Sequence, residues 1–359
     1  MAPSRSKSKP KITSLKSGRP PTLTSTSNPS TLGSQSAKHT RTLIRQHHTL
    51  QKRLSHAKSI NDTSLVADLE SQLAATGGLK SYQVASTIGQ SKTRGGDSSR
   101  VLVEWLHDEI QIRRKRSHSE STSTSTSTSH SRPPLPLKIL EIGALSTSNA
   151  LNVNNVTRVR RIDLRSSGPG IEEIDFMALP LPTSSTDPQS WDYDRPGYDV
   201  VSLSLVLNYV PDAQARGAML RRTTRFFREA ELANTSDADA DADADIEVES
   251  SKAESSDRTS TSDTKLPCLF LVLPGACVHN SRYLTVGHLT DIMNALGYCL
   301  LNDKTTAKLY YSLWRWDGRD RLGESRPHQQ SGPRVAFRKR EINPGATRNN
   351  FCIVLDGQD

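Results

Sequence analysis

The chain has 359 residues, of which 34% are hydrophobic and 5% aromatic, and a formal net charge of +9 at neutral pH. The apolar share is below the globular norm because of long Ser/Thr and Asp/Ala tracts; setting those aside leaves roughly 250 residues, enough for one α/β core. No window of about 18 consecutive apolar residues is present, which excludes a membrane-spanning helix, and the basic N-terminus has no apolar h-region of the kind a secretory signal carries.

Residues 1–60 carry Lys and Arg throughout and no Asp or Glu. So basic and apolar-poor a segment does not bury enough surface to offset its ordering entropy, and a disordered basic tail is expected over 1–40. Such arms favour polyanions through phosphate contacts and counterion release; the plainer alternative is a solubilising tail. A helical N-terminal extension is expected over 41–116. Leu43, Leu50 and Leu54 share one face of a first helix, and Leu65, Leu69 and Leu73 one face of a second, capped by Asn61 or Asp62 and ended at Gly77-Gly78. This pair reads equally as a basic helical hairpin or as a helix pair that only packs on the core. A third helix begins at Ser98 or Ser99 and carries an apolar stripe of Leu102, Trp105, Leu106 and Ile110. The nearly pure Ser/Thr stretch 117–134 reads as a flexible linker.

The core is expected over 135–316. Strand-type runs lie at 137–142, 156–164, 171–176 and within 198–210, the last nearly all apolar, as in a strand buried on both faces plus the turn after it. A helix starts at Asp212, a solvated acidic insert fills 234–264, a fifth strand spans 266–273, and a helix over 286–296 ends at Gly297. A β-type run follows at 308–316; residues 317–359 form a basic loop and a closing strand at 350–355. Strands alternating with helices imply a doubly wound parallel sheet, and the last two runs, with no helical pattern between them, an antiparallel edge hairpin. That arrangement resembles the Rossmann-like class I methyltransferase fold.

Four positions read as a cofactor site. Glu141-Ile142-Gly143 ends the first strand without the three glycines of a dinucleotide fingerprint. S-adenosylmethionine has no phosphate, so one glycine can suffice where the backbone lies against the ligand. Asp163 ends the next strand twenty residues later, at the same crevice, where a carboxylate can accept from both ribose hydroxyls. Its alternative is to open the turn at residues 163–166. Asp175 ends the third strand, where the class I methyltransferases it resembles often place a carboxylate or amide near the adenine amino group, with a capping role as the competitor. After the fourth strand, Asn208 and Tyr209 are the candidate catalytic pair: an acceptor for a target amino proton and a stacking ring. Cys268, Cys277, Cys299 and Cys352 show no CxxC or CxH spacing, so reduced thiols are expected and no metal site. The scattered histidines, His47, His48, His279 and His288, read as surface or packing residues.

Several blocks together resemble the fungal 25S rRNA adenine-N1 methyltransferases. They are Tyr82-Gln83-x-Ala85-Ser86, the run Arg94 to Ser99, Leu140 to Ser146, Ile162 to Ile171, Ser204 to Leu220 and Asn280 to Thr285. The resemblance implies S-adenosylmethionine bound at Gly143 and Asp163, large-subunit rRNA or a pre-ribosomal particle as partner, and a nucleolar setting. It also implies an acceptor chemistry that needs no strong base. The adenine N1 lone pair attacks the methyl in line, so positioning and charge handling dominate, and the base must be unpaired or flipped. Candidate RNA contacts are Arg94, Arg282 and Tyr283; Arg94 alternatively braces the turn at Gly95-Gly96, and Arg282 alternatively pairs with a core carboxylate. Other acceptors, or an assembly factor that keeps the fold without catalysis, are the competing readings.

Overall fold

The computed structural model describes residues 37–78, 81, 84–85, 97–120, 135–187, 189–193, 195–228, 264–318 and 336–356. The expectations for residues 1–36, for Arg94 and its glycine turn, for most of the Ser/Thr linker, for nearly all of the acidic insert and for most of the basic loop lie outside these residues.

The first helix, α1 (Ala37–Ser59), starts four residues before the expected boundary. It pairs with α2 (Thr63–Ala75), whose N-terminus is capped by Asp62, with Oδ1 accepting from Leu65 N–H at 2.9 Å. Asn61, in the left-handed region at φ 54°, reverses the chain between them. Leu50, Leu54 and Ala57 of α1 pack on Leu69 and Leu73 of α2 in a small core of their own. The next predicted helix is broken at Leu106 into α3 (Ser99–Trp105) and α4 (His107–Glu120), and α4 runs on through the first residues of the expected linker. Neither serine caps α3. Asp97 does, accepting from both the N–H and the hydroxyl of Ser99.

Among the described residues the sheet has seven strands: β1 (Leu137–Ile142), β2 (Thr157–Asp163), β3 (Glu172–Glu173), β4 (Val200–Ser204), β5 (Cys268–Pro274), β6 (Tyr298–Thr305) and β7 (Leu309–Trp316), in the order β3-β2-β1-β4-β5-β7-β6. The first five are parallel, and β7 enters antiparallel between β5 and β6. This is the expected mostly parallel, Rossmann-like sheet with an antiparallel hairpin at one edge. The hairpin, however, joins β6 to β7. Residues 350–355 form no strand: Leu355 makes one isolated bridge to Phe337, and the segment lies buried against the helical layer. Tyr298–Thr305 escapes pattern reading because its outer half, Asn302-Asp303-Lys304, is polar, as suits an exposed edge strand.

Helices also alternate with strands less than expected. Among the described residues, the links from β1 to β2, β2 to β3 and β3 to β4 contain no helix, whereas α5 (Ala213–Thr224) crosses from β4 to β5. The face left bare by the missing crossovers is covered from the N-terminal side: Leu102 of α3, Leu106 at the break and Ile110 of α4 pack on Leu137, Ile139, Val200 and Val272. The opposite face is covered by α5, by α7 (Val286–Ala295), which follows the short α6 (Gly275–His279), and by Phe351, Ile353 and Leu355. β5 shows the division residue by residue, with Cys268, Phe270 and Val272 facing one layer and Leu269, Leu271 and Leu273 the other.

At the starting ends of the strands a buried ionic cluster fastens β1 to β4. The Asp199 carboxylate accepts from Lys138 N–H at 2.8 Å and from Arg228 at 2.5 Å, and also pairs with Arg195. On the helical side, α5 lies so close to the C-terminal segment that a β-carbon at Gly217 would overlap the carbonyl oxygen of Val354. Gly217→Ala is therefore expected to destabilise the fold by about 1–3 kcal/mol despite alanine's better helix propensity, because the overpacking meets backbone. Urea unfolding measures this; an unchanged or raised midpoint would contradict the packing described.

Candidate active site at the strand ends

The parallel strands open their C-terminal ends at one edge of the sheet, where open α/β folds hold ligands. Gly143 leaves β1 there and Asp163 closes β2, side by side because Ile142 and Ile162 are paired in register. Gly143 turns with φ +75°, and its N–H donates to Ile162 O at 2.8 Å. A β-carbon at this position would overlap Cγ2 of Val206, from the loop after β4. The immediate reason for glycine is thus the chain's own packing, not only the approach of a ligand.

The Asp163 carboxylate is half-buried, and Oδ1 accepts from Arg165 N–H at 2.9 Å, so it does open the following turn. Ser167, in that turn, donates to Leu145 O at 3.1 Å and ties the loop after β2 to the loop after β1. Glu141 sits one layer below. Its Oε1 accepts from Asn149 at 2.7 Å and its Oε2 lies 3.1 Å from Nε of Arg161, its cross-strand partner. Arg161 in turn donates to the side-chain oxygens of Asn149 and Asn152. Burial pushes the Glu141 carboxyl above its ordinary range, against the pull of Asn149 and Arg161, with Asp97 acting in the same sense as burial. Glu141 therefore reaches the cofactor edge mainly by holding the loop that follows Gly143.

Asp97 serves the same loop. Its Oδ2 accepts from Ala150 N–H at 2.7 Å while Oδ1 starts α3, and Ser98 meets the Ser204 hydroxyl at 2.9 Å. Sequence reading placed Asp97 only within a block; its isolation as the one acid of that polar stretch was the available signal. Asp175 is exposed and accepts from Met177 N–H at 2.8 Å, the geometry of the capping alternative.

The loop after β4 carries the acceptor side. Leu205 is held at φ +57°, a conformation costing a bulky L-residue about 1–2 kcal/mol and characteristic of functional turns. Beyond it, Asn208 has a buried Oδ1 that meets no hydrogen-bond donor among the described residues. A buried acceptor left unmatched costs about 1–3 kcal/mol, which a ligand N–H would recover. The Tyr209 ring is stacked face to face with His48 of α1, centroids 4.3 Å apart and planes 9° apart. The hairpin thus does pack on the core, and it does so on the candidate catalytic loop. Arg216 of α5 braces the same loop from below, donating to the carbonyls of Val210, Pro211 and Cys352. Neither His48 nor Arg216 was legible as a site residue, since both sit in stretches that read as ordinary helix.

Of the candidate RNA contacts, Arg282 donates to Gly345 O at 2.9 Å and to Ala346 O at 3.4 Å, so it braces the 345–349 loop rather than pairing with a carboxylate. Tyr283 lies beneath Lys339, whose ammonium is 4.8 Å from the ring centroid. Arg94 lies outside the described residues. The structure thus brings Glu141, Gly143 and Asp163 together at one edge and joins them, through Val206, to the Asn208–Tyr209 loop.

Comparison with known proteins adds a chemical context. A family model described as 25S rRNA (adenine(2142)-N(1))-methyltransferase, Bmt2, matches residues 67–353. The 25S rRNA (adenine(2142)-N(1))-methyltransferase of Saccharomyces cerevisiae is 30% identical over 314 residues, covering 86% of this chain and 70% of that protein. The 25S rRNA adenine-N(1) methyltransferase of Schizosaccharomyces pombe is 28% identical over 312 residues, covering 87% of this chain and 89% of that protein.

Burial, with help from His47 and Lys52, lowers the His48 pKa to about 4. Its unfolded value, 6.5, is higher, so as pH falls from about 6.5 towards 4 the unfolded chain takes up a proton that the folded chain refuses, and stability is lost over that window. NMR titration is expected to show His48 neutral until about pH 4, with the stack to Tyr209 persisting above it. Titration near 6.5 would mean that the imidazole is not held against the ring.

Proposed function

The chain belongs to the 25S rRNA (adenine-N(1))-methyltransferase family, and on that basis we infer that it transfers a methyl group from S-adenosylmethionine to N1 of an adenine in large-subunit rRNA. The observation that carries the chemistry is the unmatched, buried Oδ1 of Asn208 beside an aromatic ring, at the strand edge next to Gly143 and Asp163.

The residues present fit the cofactor. The edge has no glycine-rich phosphate cradle, and its donor set is a glycine turn plus the Asp163 carboxylate, suited to a ribose and an uncharged purine. When bound, S-adenosylmethionine supplies an electrophilic sulfonium methyl. Gly143 leaves the backbone free to lie along the ligand, Asp163 accepts from the ribose hydroxyls, and Glu141 and Asp97 keep the intervening loop in place. Asp175, two residues beyond β3, would accept from the adenine amino group.

On the acceptor side, Asn208 Oδ1 accepts an N–H from the exocyclic amine of the target base. That single hydrogen bond aims the neighbouring N1 lone pair, and no residue has to remove a proton because N1 carries none. Positioning is then the main contribution, worth up to several kcal/mol when the reacting atoms are held in line. Tyr209 offers a π-face to a base that becomes cationic as the methyl arrives; one face is taken by His48, so the base uses the other face or the place of His48. The methylated edge pairs in a duplex, so the target must be single-stranded or flipped out. Large-subunit rRNA, free or within a pre-ribosomal particle, is the partner this activity requires, and the nucleolus is its setting.

Three outcomes are expected. Deleting the gene removes 1-methyladenosine from large-subunit rRNA in nucleoside mass spectrometry, and re-expression restores it; an unchanged level in the deletion would refute the function. In calorimetry, Asp163→Ala weakens S-adenosylmethionine binding by about 10–100-fold, the equivalent of about 1.5–3 kcal/mol of charge-assisted hydrogen bonding. Asn208→Ala leaves that binding within twofold and lowers turnover instead. Equal cofactor affinity in the Asp163 variant and the unaltered protein would remove Asp163 from the site.

A further inference from the structure

An open cleft of about 650 Å³ lies just past the acceptor loop. Its walls come from three separate parts of the chain: Lys52 of α1, the start of α5 with Asp212 and Arg216, and the C-terminal segment with Arg338, Lys339 and Asp356. The volume falls in the usual range of about 300–1,000 Å³ for ligand sites, room for about one or two nucleotides.

The charges in it are not balanced. Lys52, Arg216, Arg338 and Lys339 outnumber the two carboxylates of the lining, Asp212, which caps α5 by accepting from Gln214 N–H and Ala215 N–H at 2.9 Å, and Asp356, which accepts from the Gln214 side chain at 3.0 Å. The Arg216 guanidinium is buried, donates to three backbone carbonyls and stacks on Phe351 at 4.5 Å, and among the described residues no carboxylate pairs with it directly. Packing and the nearby Arg216 charge together lower the Lys52 pKa. Two cations held close, with the nearby Asp212 carboxylate not paired directly with either, make a place that a further anion would relieve.

Its position says which anion. Pro211 and Asp212, on its rim, follow the Asn208–Tyr209 pair directly in the chain. Lys52 stands one helical turn beyond His48, the residue stacked on Tyr209. Lys339, on the opposite wall, also covers Tyr283. A strand whose base sits at Asn208 therefore passes the cleft with its neighbouring backbone. We propose that the cleft between α1 and the C-terminal segment binds the phosphodiester backbone of the single-stranded RNA next to the target adenine, through Lys52, Arg338 and Lys339. The proposal rests on the RNA acceptor inferred above, and it gives the N-terminal hairpin a role: α1 is one wall of the substrate track.

The test uses the full chain and an adenine-containing single-stranded oligoribonucleotide of about 12 residues, with affinity measured against salt. Lys52→Gln, and Arg338→Gln combined with Lys339→Gln, are expected to weaken binding at least fivefold at low salt. For every phosphate that a variant no longer neutralises, the log–log salt slope should become shallower by about 0.7. Arg114→Gln with Lys115→Gln, on α4 at the other face of the sheet, is the charge-matched control and leaves the slope unchanged. S-adenosylmethionine affinity, unchanged in every variant, verifies the fold. If the cleft variants bind and salt-titrate like the unaltered chain while that chain methylates rRNA, the cleft proposal is overturned and the rRNA reading stands. If the unaltered chain neither binds the oligoribonucleotide nor methylates rRNA, both are overturned.

Discussion

Gly143 turns the chain out of β1 at φ +75°, and the side chain of Val206 fills the space where a β-carbon would sit. This contact joins the two halves of the site. On one side are the ends of β1 and β2, with Gly143 and Asp163 in adjacent register. On the other is the loop after β4, with Leu205 strained at φ +57° and Oδ1 of Asn208 buried. A methyl donor and an acceptor base have to meet within bonding distance, and a fold that packs these two loops on one another fixes that separation through its core. Any residue larger than glycine at 143 would push the halves apart and would itself be strained.

Around that contact the chain spends its polar residues on holding loops that have no helix to anchor them. The 14 residues between β1 and β2 contain none. Their shape is kept instead by Arg161, Glu141, Asn149 and Asn152 beneath and by Asp97 alongside. Buried networks of this kind specify one arrangement because any member left unpaired is costly. The same logic places Arg216 under the acceptor loop, where it gathers three carbonyls that a regular element would have satisfied.

The parts of this that could be read from residues alone were those with a strong local signature. The buried strand β4 and the Asp212 cap of α5 stand in a nearly continuous apolar run followed by a capping acid. Gly143 and Asp163 follow strand-like runs at the spacing of one crossover. Three things were not legible, each for a physical reason. β6 hides because an edge strand alternates with water on its outer half. The missing crossover helices could not be foreseen because α3 and α4, far earlier in the chain, supply the cover. Nor did the basic face of α1 announce its docking: His48 and Lys52 look like any solvated helix face until Tyr209 and Arg216 are placed opposite them. Tertiary partners of a polar helix leave no periodic trace.

The most direct test is a transfer assay with the purified chain, S-adenosylmethionine carrying a labelled methyl group, and large-subunit rRNA that lacks the modification. Digestion to nucleosides and mass spectrometry should place the label in 1-methyladenosine alone, as transfer to adenine N1 requires. Label in N6-methyladenosine, in another nucleoside or in protein, or no transfer at all, would contradict it.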